Sequence, residues 1–274
     1  MSFDNLGDRM KDYENVPRIS LTKKMPVIIR LDGKAFHSFT RGMKRPFDSI
    51  LIDTMQRTAQ FLCANVMNCK LAYTQSDEIS LLLIDYEKNE SQQWFQNSLQ
   101  KMVSVAASMA TLEFNRAYRE RVYEDYCHER LTEEEFQNYA RKIDGAMFDA
   151  RAFTLPKEEV CNYFIWRQQD ASRNSVQMVA QSLFSHKQLH GKNTGELQDM
   201  MFTEHGVNWN DYPTHQKRGA CIVKEQYDKD GAMRSRWVPD LEIPIFTQNR
   251  DYINQYVFVG GVVNEYVDVY RRSD

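Results

Sequence analysis

The stretch RLDGKAFHSF, Arg30–Phe39, decides how this chain is read. It closes an apolar run, Met25-Pro-Val-Ile-Ile-Arg-Leu31, that predicts a buried strand. The run stops at Asp32-Gly33, so a carboxylate stands at a strand end beside a residue whose bare backbone permits close approach. Further on, Leu71-Ala-Tyr-Thr-Gln75, a turn at Ser76-Asp77, and Glu78-Ile-Ser-Leu-Leu-Leu-Ile84 predict a hairpin with a second carboxylate at its tip. Two aspartates, each at a strand end, can then face one another. Such a pair suits hard divalent cations, which take carboxylate oxygens and leave their other positions to water and phosphate. The competing reading makes both residues turn formers, because aspartate bonds its own backbone in turns.

The length and composition fit one large domain or two small ones. The chain has 274 residues, 42% of them hydrophobic, enough for a substantial core. Its net charge of −3, from 35 basic and 38 acidic side chains, excludes a uniformly basic nucleic-acid binder, so any RNA must meet a local patch. Cys63, Cys69, Cys127, Cys161 and Cys221 are scattered and odd in number, which predicts free, mostly buried thiols and a reducing, cytoplasmic setting. The acidic N-terminal segment has no apolar core of a signal peptide, and no run reaches the roughly 18 apolar residues of a membrane span. The chain also lacks G-x-x-x-x-G-K-[ST] and G-x-G-x-x-G, so phosphates must be held by cations and not by a glycine-rich loop.

Between these landmarks the expected order is helical, then stranded, then helical. A short helix is expected over residues 5–14, with Asp4 as its cap. Arg41, Lys44 and Arg45 crowd a turn at Pro46, after which Asp48 caps a helix buried through Leu51, Met55, Ala59, Leu62 and Val66. Ser91 is expected to cap a long helix with Phe95, Leu99, Met102, Val103, Ala106 and Ala110 in its buried stripe, Lys101 off its centre, and Arg116, Arg119 and Arg121 as a basic face. Thr132 and Glu135 form a capping box, Phe148–Leu155 a further strand, and Pro156 opens a helix to about Phe184 whose aromatic residues, Trp166 included, read as core. His186 and His190 are four apart, but Lys187-Gln-Leu between them lacks a metalloprotease glutamate, so a basic, solvated helix end is the better reading than zinc. Asn193 or Thr194 starts a short helix stopped by Gly206, and residues 220–224 and 234–238 form a hairpin. The last thirty or so residues carry no assignable pattern.

Five strings, RLDGKAFHSF, RPFD (Arg45–Asp48), YTQSDEIS (Tyr73–Ser80), FDARAF (Phe148–Phe153) and YFIWRQQDASRN (Tyr163–Asn174), resemble in order and spacing the tRNA-histidine guanylyltransferase superfamily, specifically its bacterial "like" branch of 3′-to-5′ RNA polymerases. The resemblance spans about residues 3 to 250 and implies an α+β fold. It implies a polymerase- or cyclase-like palm, a βαββ antiparallel sheet backed by helices, over residues 1–155, and a helical and hairpin tRNA-contacting extension over 156–274. Asp32, the Gly33 carbonyl and Asp77 are thereby implied to bind two Mg²⁺, with Glu78 behind them. Lys34, Ala35, Phe36 and His37 join Gly33 in contacting the nucleotide, as does Asp48, while Arg45, Ser76, Lys101 and Arg151 match positions that hold triphosphate. Arg45 replaces a commoner lysine.

The implied reaction starts from an RNA 5′-monophosphate activated with ATP, or from a triphosphate end, which the 3′-hydroxyl of an incoming GTP or other nucleoside triphosphate then attacks. The implied assembly is a homotetramer. Arg116, Arg119, Arg121, Arg167, Asn174, His186, Lys187, Lys192, Lys217 and Arg218 are the basic and polar positions assigned to tRNA. Eukaryotic members carry a run resembling HINNLYN where this chain has Ser172-Arg-Asn-Ser-Val-Gln-Met178, and only Asn174 is retained. That departure favours templated repair of truncated tRNA 5′ ends over dedicated addition of guanosine to histidine tRNA. A nucleotidyl cyclase or a non-catalytic tRNA binder are the remaining alternatives, and neither accounts for both the basic C-terminal half and the intact aspartates.

Overall fold

A computed structural model describes residues 5–259. In chain order its elements are α1 (Leu6–Asn15), β1 (Val27–Gly33), α2 (Phe36–Phe39), α3 (Ser49–Asn65), β2 (Cys69–Gln75), β3 (Glu78–Leu83), α4 (Leu99–Cys127), α5 (Glu133–Ala140), β4 (Phe148–Thr154), α6 (Lys157–Leu183), α7 (His186–Leu189), α8 (Thr194–His205), α9 (Thr214–Arg218), β5 (Ala220–Lys229), β6 (Ala232–Asp240) and α10 (Asp251–Val257). The strands form one antiparallel sheet in the order β4-β1-β3-β2-β5-β6. It is the expected α+β palm, with β3 inserted between β1 and β2. Because β5 pairs with β2, the sheet continues past residue 155 into the C-terminal half.

Alternation along β1 sets the two layers. Val27, Ile29 and Leu31 point into a core shared with α3 and α4, where Met55, Ala59, Leu62, Met102, Ala106 and Phe114 are buried. Ile28 points the other way, into a second core with Leu82, Tyr73 and the α6 residues Val160, Cys161 and Phe164. Arg30 and Asp32 share that second face by the same period of two. A third cluster, remote from the sheet, packs Val176, Val179 and Ala180 of α6 on Leu197 and Met201 of α8 and on Trp209, with Phe47 against it.

Local signals placed most element ends. Asp48 caps α3, its Oδ1 accepting from Leu51 N at 2.9 Å, a contact worth about 1 kcal/mol. Thr132 and Glu135 make the capping box of α5, Asn193 caps α8, and Gly206 ends α8 in the left-handed region. Three expectations need correction. The long helix begins at Leu99 and not after Ser91, because Phe95, Gln96 and Asn97 take positive φ, leaving Phe95 exposed outside the buried stripe. Leu21 N donating to Asn97 O and Leu99 N to Ile19 O hold that kink, and these are long-range pairings. Trp166 is 47% exposed, although Tyr163 and Phe164 beside it are buried. The cap of α1 is Asn5, whose side chain accepts from Gly7 N; Asp4 lies outside the described residues. The thiols are free as expected, four buried and Cys127 exposed.

Helix α6 is fastened to the sheet by a buried charge. Arg167 Nε lies 2.9 Å from Glu78 Oε1, without the alignment of a hydrogen bond, and its Nη2 donates to Asp170 Oδ2 at 2.7 Å. Tyr163 OH and Ser80 Oγ meet at 2.7 Å on the same face. Burial pushes the Glu78 carboxyl up, and Arg167 pulls it back. Removing one partner of a buried pair leaves the other uncompensated. Arg167→Met is therefore expected to lower urea-unfolding stability at pH 7 by about 3–5 kcal/mol, with part of the loss recovered as pH falls and Glu78 takes up a proton, and with further recovery in Arg167→Met/Glu78→Leu. A loss under about 1 kcal/mol, the range of exposed pairs, would contradict this role.

Candidate active site

The site is built where two strand ends meet. Antiparallel register sets Asp32 of β1 opposite Glu78 of β3, which brings the end of β1 against the β2–β3 turn. There Gly33 N donates to the Asp77 carbonyl at 3.0 Å. Ser76 occupies the left-handed region at the tip (φ 50°), and its Oγ donates to Asp77 Oδ1 at 3.0 Å. Gly33 needs to be glycine: a Cβ there would lie 2.3 Å from the Phe36 ring. That ring is held by Phe39, Phe114 and Phe148 at centroid distances of 5.0 to 5.4 Å, so the aromatic core fixes the turn that follows Asp32.

Register also orders the charges. Asp32 stands opposite Glu78 on one side and Asp149 of β4 on the other, while Arg30 stands opposite Ser80 and Arg151. Directly opposed residues share a face, so a row of carboxylates lies beside a row carrying two arginines. Burial, above all, raises the Asp77 carboxyl above the usual carboxylate range, and the negative charge of Asp32 adds to the rise; the Ser76 hydroxyl and the residue's own backbone oppose it. A carboxyl with a raised folded pKa favours the fold when protonated, so ionisation of Asp77 costs stability as pH rises through that value. A cation between the two aspartates would remove the cost.

The residues present fit Mg²⁺. Two carboxylates and a backbone carbonyl are hard oxygen donors, and magnesium is commonly held by one or two carboxylates with water and phosphate completing its shell. Among the described residues no group of three or more His, Cys, Asp or Glu side chains is placed to hold a metal.

The other predicted residues fall into three sets. Lys34, Ala35 and His37 are exposed directly after the aspartate turn, and Phe36 is buried beneath them. Lys101 on α4 and Arg151 on β4 are exposed, with Asp149 at 4.0 Å from Arg151; Arg45 is exposed and pairs with no described carboxylate. Asp48 is different, because its oxygens are occupied by the protein: Leu51 N, Lys44 N at 2.9 Å and Tyr139 OH.

Of the residues assigned to RNA, several meet protein instead. Arg167 and Lys217 are buried, the latter donating to Asn210 O at 2.5 Å, and burial lowers its pKa. Arg116 pairs with Glu113 and Glu120, Arg119 with Asp144, and Arg121 with Asp53, Glu124 and Asp125, so the basic face of α4 is largely neutralised. Asn174, His186, Lys187 and Lys192 are exposed, and Arg218 is half-buried. Sequence reasoning missed Arg30, Asp149 and Asp170. The first two were signalled, since Arg30 and Asp149 lie two residues from Asp32 and Arg151 and thus on their faces.

Residues 7–156 match the family described as Thg1, tRNAHis guanylyltransferase. Among curated relatives, an uncharacterized protein R259 of Acanthamoeba polyphaga mimivirus is 28% identical over 84% of this chain and 80% of its own length, and the tRNA(His) guanylyltransferase of Schizosaccharomyces pombe is 26% identical over 81% of each chain. Among solved structures, a bacterial tRNA(His) guanylyltransferase (Thg1)-like protein in complex with ATP superposes with a TM-score of 0.82 at 48% identity, over 93% of this chain and all of that one. The GTP complex of such a protein gives 0.76 at 46%, with the same coverage. With more than half its length matched and close to half its residues shared with a solved member, this chain belongs to the tRNAHis guanylyltransferase (Thg1) family and is a nucleotidyltransferase.

Proposed function

We propose that the protein adds nucleotides to the 5′ end of tRNA in the 3′-to-5′ direction, choosing each base by pairing with the opposite strand of the acceptor stem, and so repairs truncated ends. The observation that carries the reading is the Gly33–Asp77 hydrogen bond, which joins the two strand-end aspartates. Asp32, the Gly33 carbonyl and Asp77 would hold two Mg²⁺, which supply charge neutralisation at phosphate and a lowered pKa for an attacking hydroxyl. The chain's own residues do the positioning. Ser76 orients the Asp77 carboxylate, and Arg167, through Glu78, steadies the end of β3. Lys101, Arg151 and Arg45 are exposed cations that suit the triphosphate, and the turn Lys34–His37 suits the nucleotide beside it. Asp48 acts on the nucleotide by shaping that wall, given its occupied oxygens.

The reaction needs no covalent protein nucleophile. The 3′-oxygen of the incoming nucleotide bonds to the activated 5′ phosphorus, and AMP or pyrophosphate departs with the bonding pair; positioning and electrostatics carry the catalysis. Activation of a 5′-monophosphate consumes ATP and releases pyrophosphate. Solved relatives bound to ATP and to GTP support both nucleotide roles. We extend the proposal to a cytoplasmic homotetramer: the free thiols support the compartment, and the exposed Leu6, Met10 and Tyr13 of α1 offer an apolar surface for assembly. No described helix is long and apolar enough to cross a membrane.

The templated reading favours non-histidine tRNAs because Ser172–Met178 departs from the eukaryotic run. With four nucleoside triphosphates and Mg²⁺, several tRNAs lacking their first nucleotide are expected to gain the base that completes the pair, and Asp32→Ala or Asp77→Ala is expected to abolish the gain with the circular-dichroism spectrum unchanged. Efficient guanosine addition to full-length histidine tRNA, with little repair of truncated ones, would establish a dedicated guanylyltransferase instead. Near-normal turnover in both variants would remove the aspartates from the site.

In the same assay, Lys101→Ala and Arg151→Ala are each expected to lower nucleotide use by roughly ten- to a hundredfold, the loss of one charge-assisted phosphate contact, with tRNA binding by gel shift little changed. Equal losses in the two measurements would move these residues from the triphosphate to the RNA.

A further inference from the structure

Helix α5 and the turn after it carry no residue of the site described above, yet their polar side chains converge on the loop of residues 41–48, far earlier in the chain. That loop bears Arg45 and Asp48. Lys142 Nζ donates to Arg41 O at 2.8 Å, Asn138 Nδ2 to Gly42 O at 2.7 Å, and Tyr139 OH to Asp48 Oδ2. Lys44 N donates to the same Asp48 oxygen at 2.9 Å and lies 3.3 Å from the Tyr139 hydroxyl oxygen. Glu135 of the same helix stands 3.7 Å from Lys44 Nζ.

The loop belongs to no helix or strand, so its backbone groups have no ladder to join and side chains must satisfy them. At Arg41, Gly42 and Lys44 the partners come from α5 or from the Asp48 carboxylate that α5 holds. Tyr139 closes this arrangement. Asp48 is buried, with Leu51 N on one oxygen and both Lys44 N and Tyr139 OH on the other, so the two ends of the turn 44–48 are drawn together around Arg45.

Behind α5 the anchorage is aromatic. Tyr139 is buried and its carbonyl accepts from Tyr118 OH at 3.2 Å, while the Phe136 ring stacks on Tyr126 of α4 at 4.1 Å. The Tyr118 ring in turn lies 5.4 Å from Phe39 and 5.9 Å from Phe114, the rings that hold Phe36 against Gly33. The turn after Asp32 and the loop carrying Arg45 are therefore both fixed to one aromatic column on α4. Arg45 depends on such fixing, because its side chain is exposed and pairs with no described carboxylate, leaving its backbone as the part the protein places. A long side chain already loses rotamer freedom when it grips a ligand, and a wandering backbone would add to that loss.

We propose that α5 is a positioning element for the incoming nucleotide: Tyr139, with Asn138 and Lys142, fixes the 41–48 loop so that Arg45 stands ready for the triphosphate. Tyr139 is a positioning residue that acts through Asp48 and the loop. The inference rests on the reading of Arg45 as a triphosphate contact, and the test separates the two.

That test uses the full-length protein with Mg²⁺, a saturating 5′-triphosphorylated tRNA lacking its first nucleotide, and the incoming nucleotide varied. Tyr139→Phe, which removes one hydroxyl and keeps the ring, is expected to raise the nucleotide KM roughly tenfold and to change kcat by less than about twofold. In the Arg45→Ala background the same substitution is expected to have no further effect on KM, because a loop without its arginine has nothing left to position. Amide hydrogen exchange is expected to quicken at residues 41–48 and not in β1 or β3. Asn138→Ala/Lys142→Ala releases the other end of the loop from half-buried positions and is expected to raise KM likewise, which decides the matter should the tyrosine variant not fold. An unchanged KM in both variants, unaltered exchange in the loop, a rise in KM that multiplies fully with that of Arg45→Ala, or a fall in kcat alone would each overturn the proposal. An unchanged KM in Arg45→Ala itself would instead remove the arginine from the triphosphate, and the proposal with it.

Discussion

The backbone hydrogen bond from Gly33 to the Asp77 carbonyl determines where the polar groups of this face stand. It joins the end of β1 to the β2–β3 turn, and the antiparallel register then places Asp32 between Glu78 and Asp149. Burial, above all, holds the Asp77 carboxyl above the usual carboxylate range, and the neighbouring charge of Asp32 adds to the rise. A fold accepts such a cost where something outside the chain relieves it. In the proposed reading, the carboxylates, the glycine whose missing side chain makes room for Phe36, and the arginine row beside them would serve cations and phosphate together.

On the same face the protein meets a harder electrostatic demand, because Glu78 is buried as well as adjacent to Asp77. Arg167 answers it from α6, and Asp170 and Arg173 extend the chain of charges outward, the guanidinium of Arg173 donating to Asp170 at 2.9 Å. The motif that resembled an RNA-contacting segment therefore begins as the bolt between helix and sheet. Its outer residues, Arg173 and Asn174, remain exposed. The same short stretch turns one side to the sheet and the other to solvent.

Much of this was legible in the sequence because the signals were local. Apolar runs ended by Asp32-Gly33 and turned by Ser76-Asp77, a cap at Asp48 and a capping box at Thr132 are each written within a few residues, and they located β1, the β2–β3 hairpin, α3 and α5. What was not legible depends on partners far along the chain. The kink before α4 is held by residues 19–21, and the burial of Arg167 and Lys217, both assigned to tRNA from the sequence, depends on what packs over them. The basic run on α4 was half legible: its pairing with Glu113 and Glu120 follows helical spacing, whereas Asp144 comes from a later turn. The carboxylate and arginine rows needed the register of three strands, which no single strand states.

The measurement that tests the central claim most directly is a Mn²⁺ titration followed by electron paramagnetic resonance, with ATP present, on the wild-type protein and on Asp32→Asn and Asp77→Asn. These substitutions keep the shape of each side chain and remove its charge. The juxtaposed aspartates predict that the wild type binds Mn²⁺ and that each variant loses most of that binding. Undiminished Mn²⁺ binding in both variants would show that the two aspartates are turn residues and that the cations are held elsewhere.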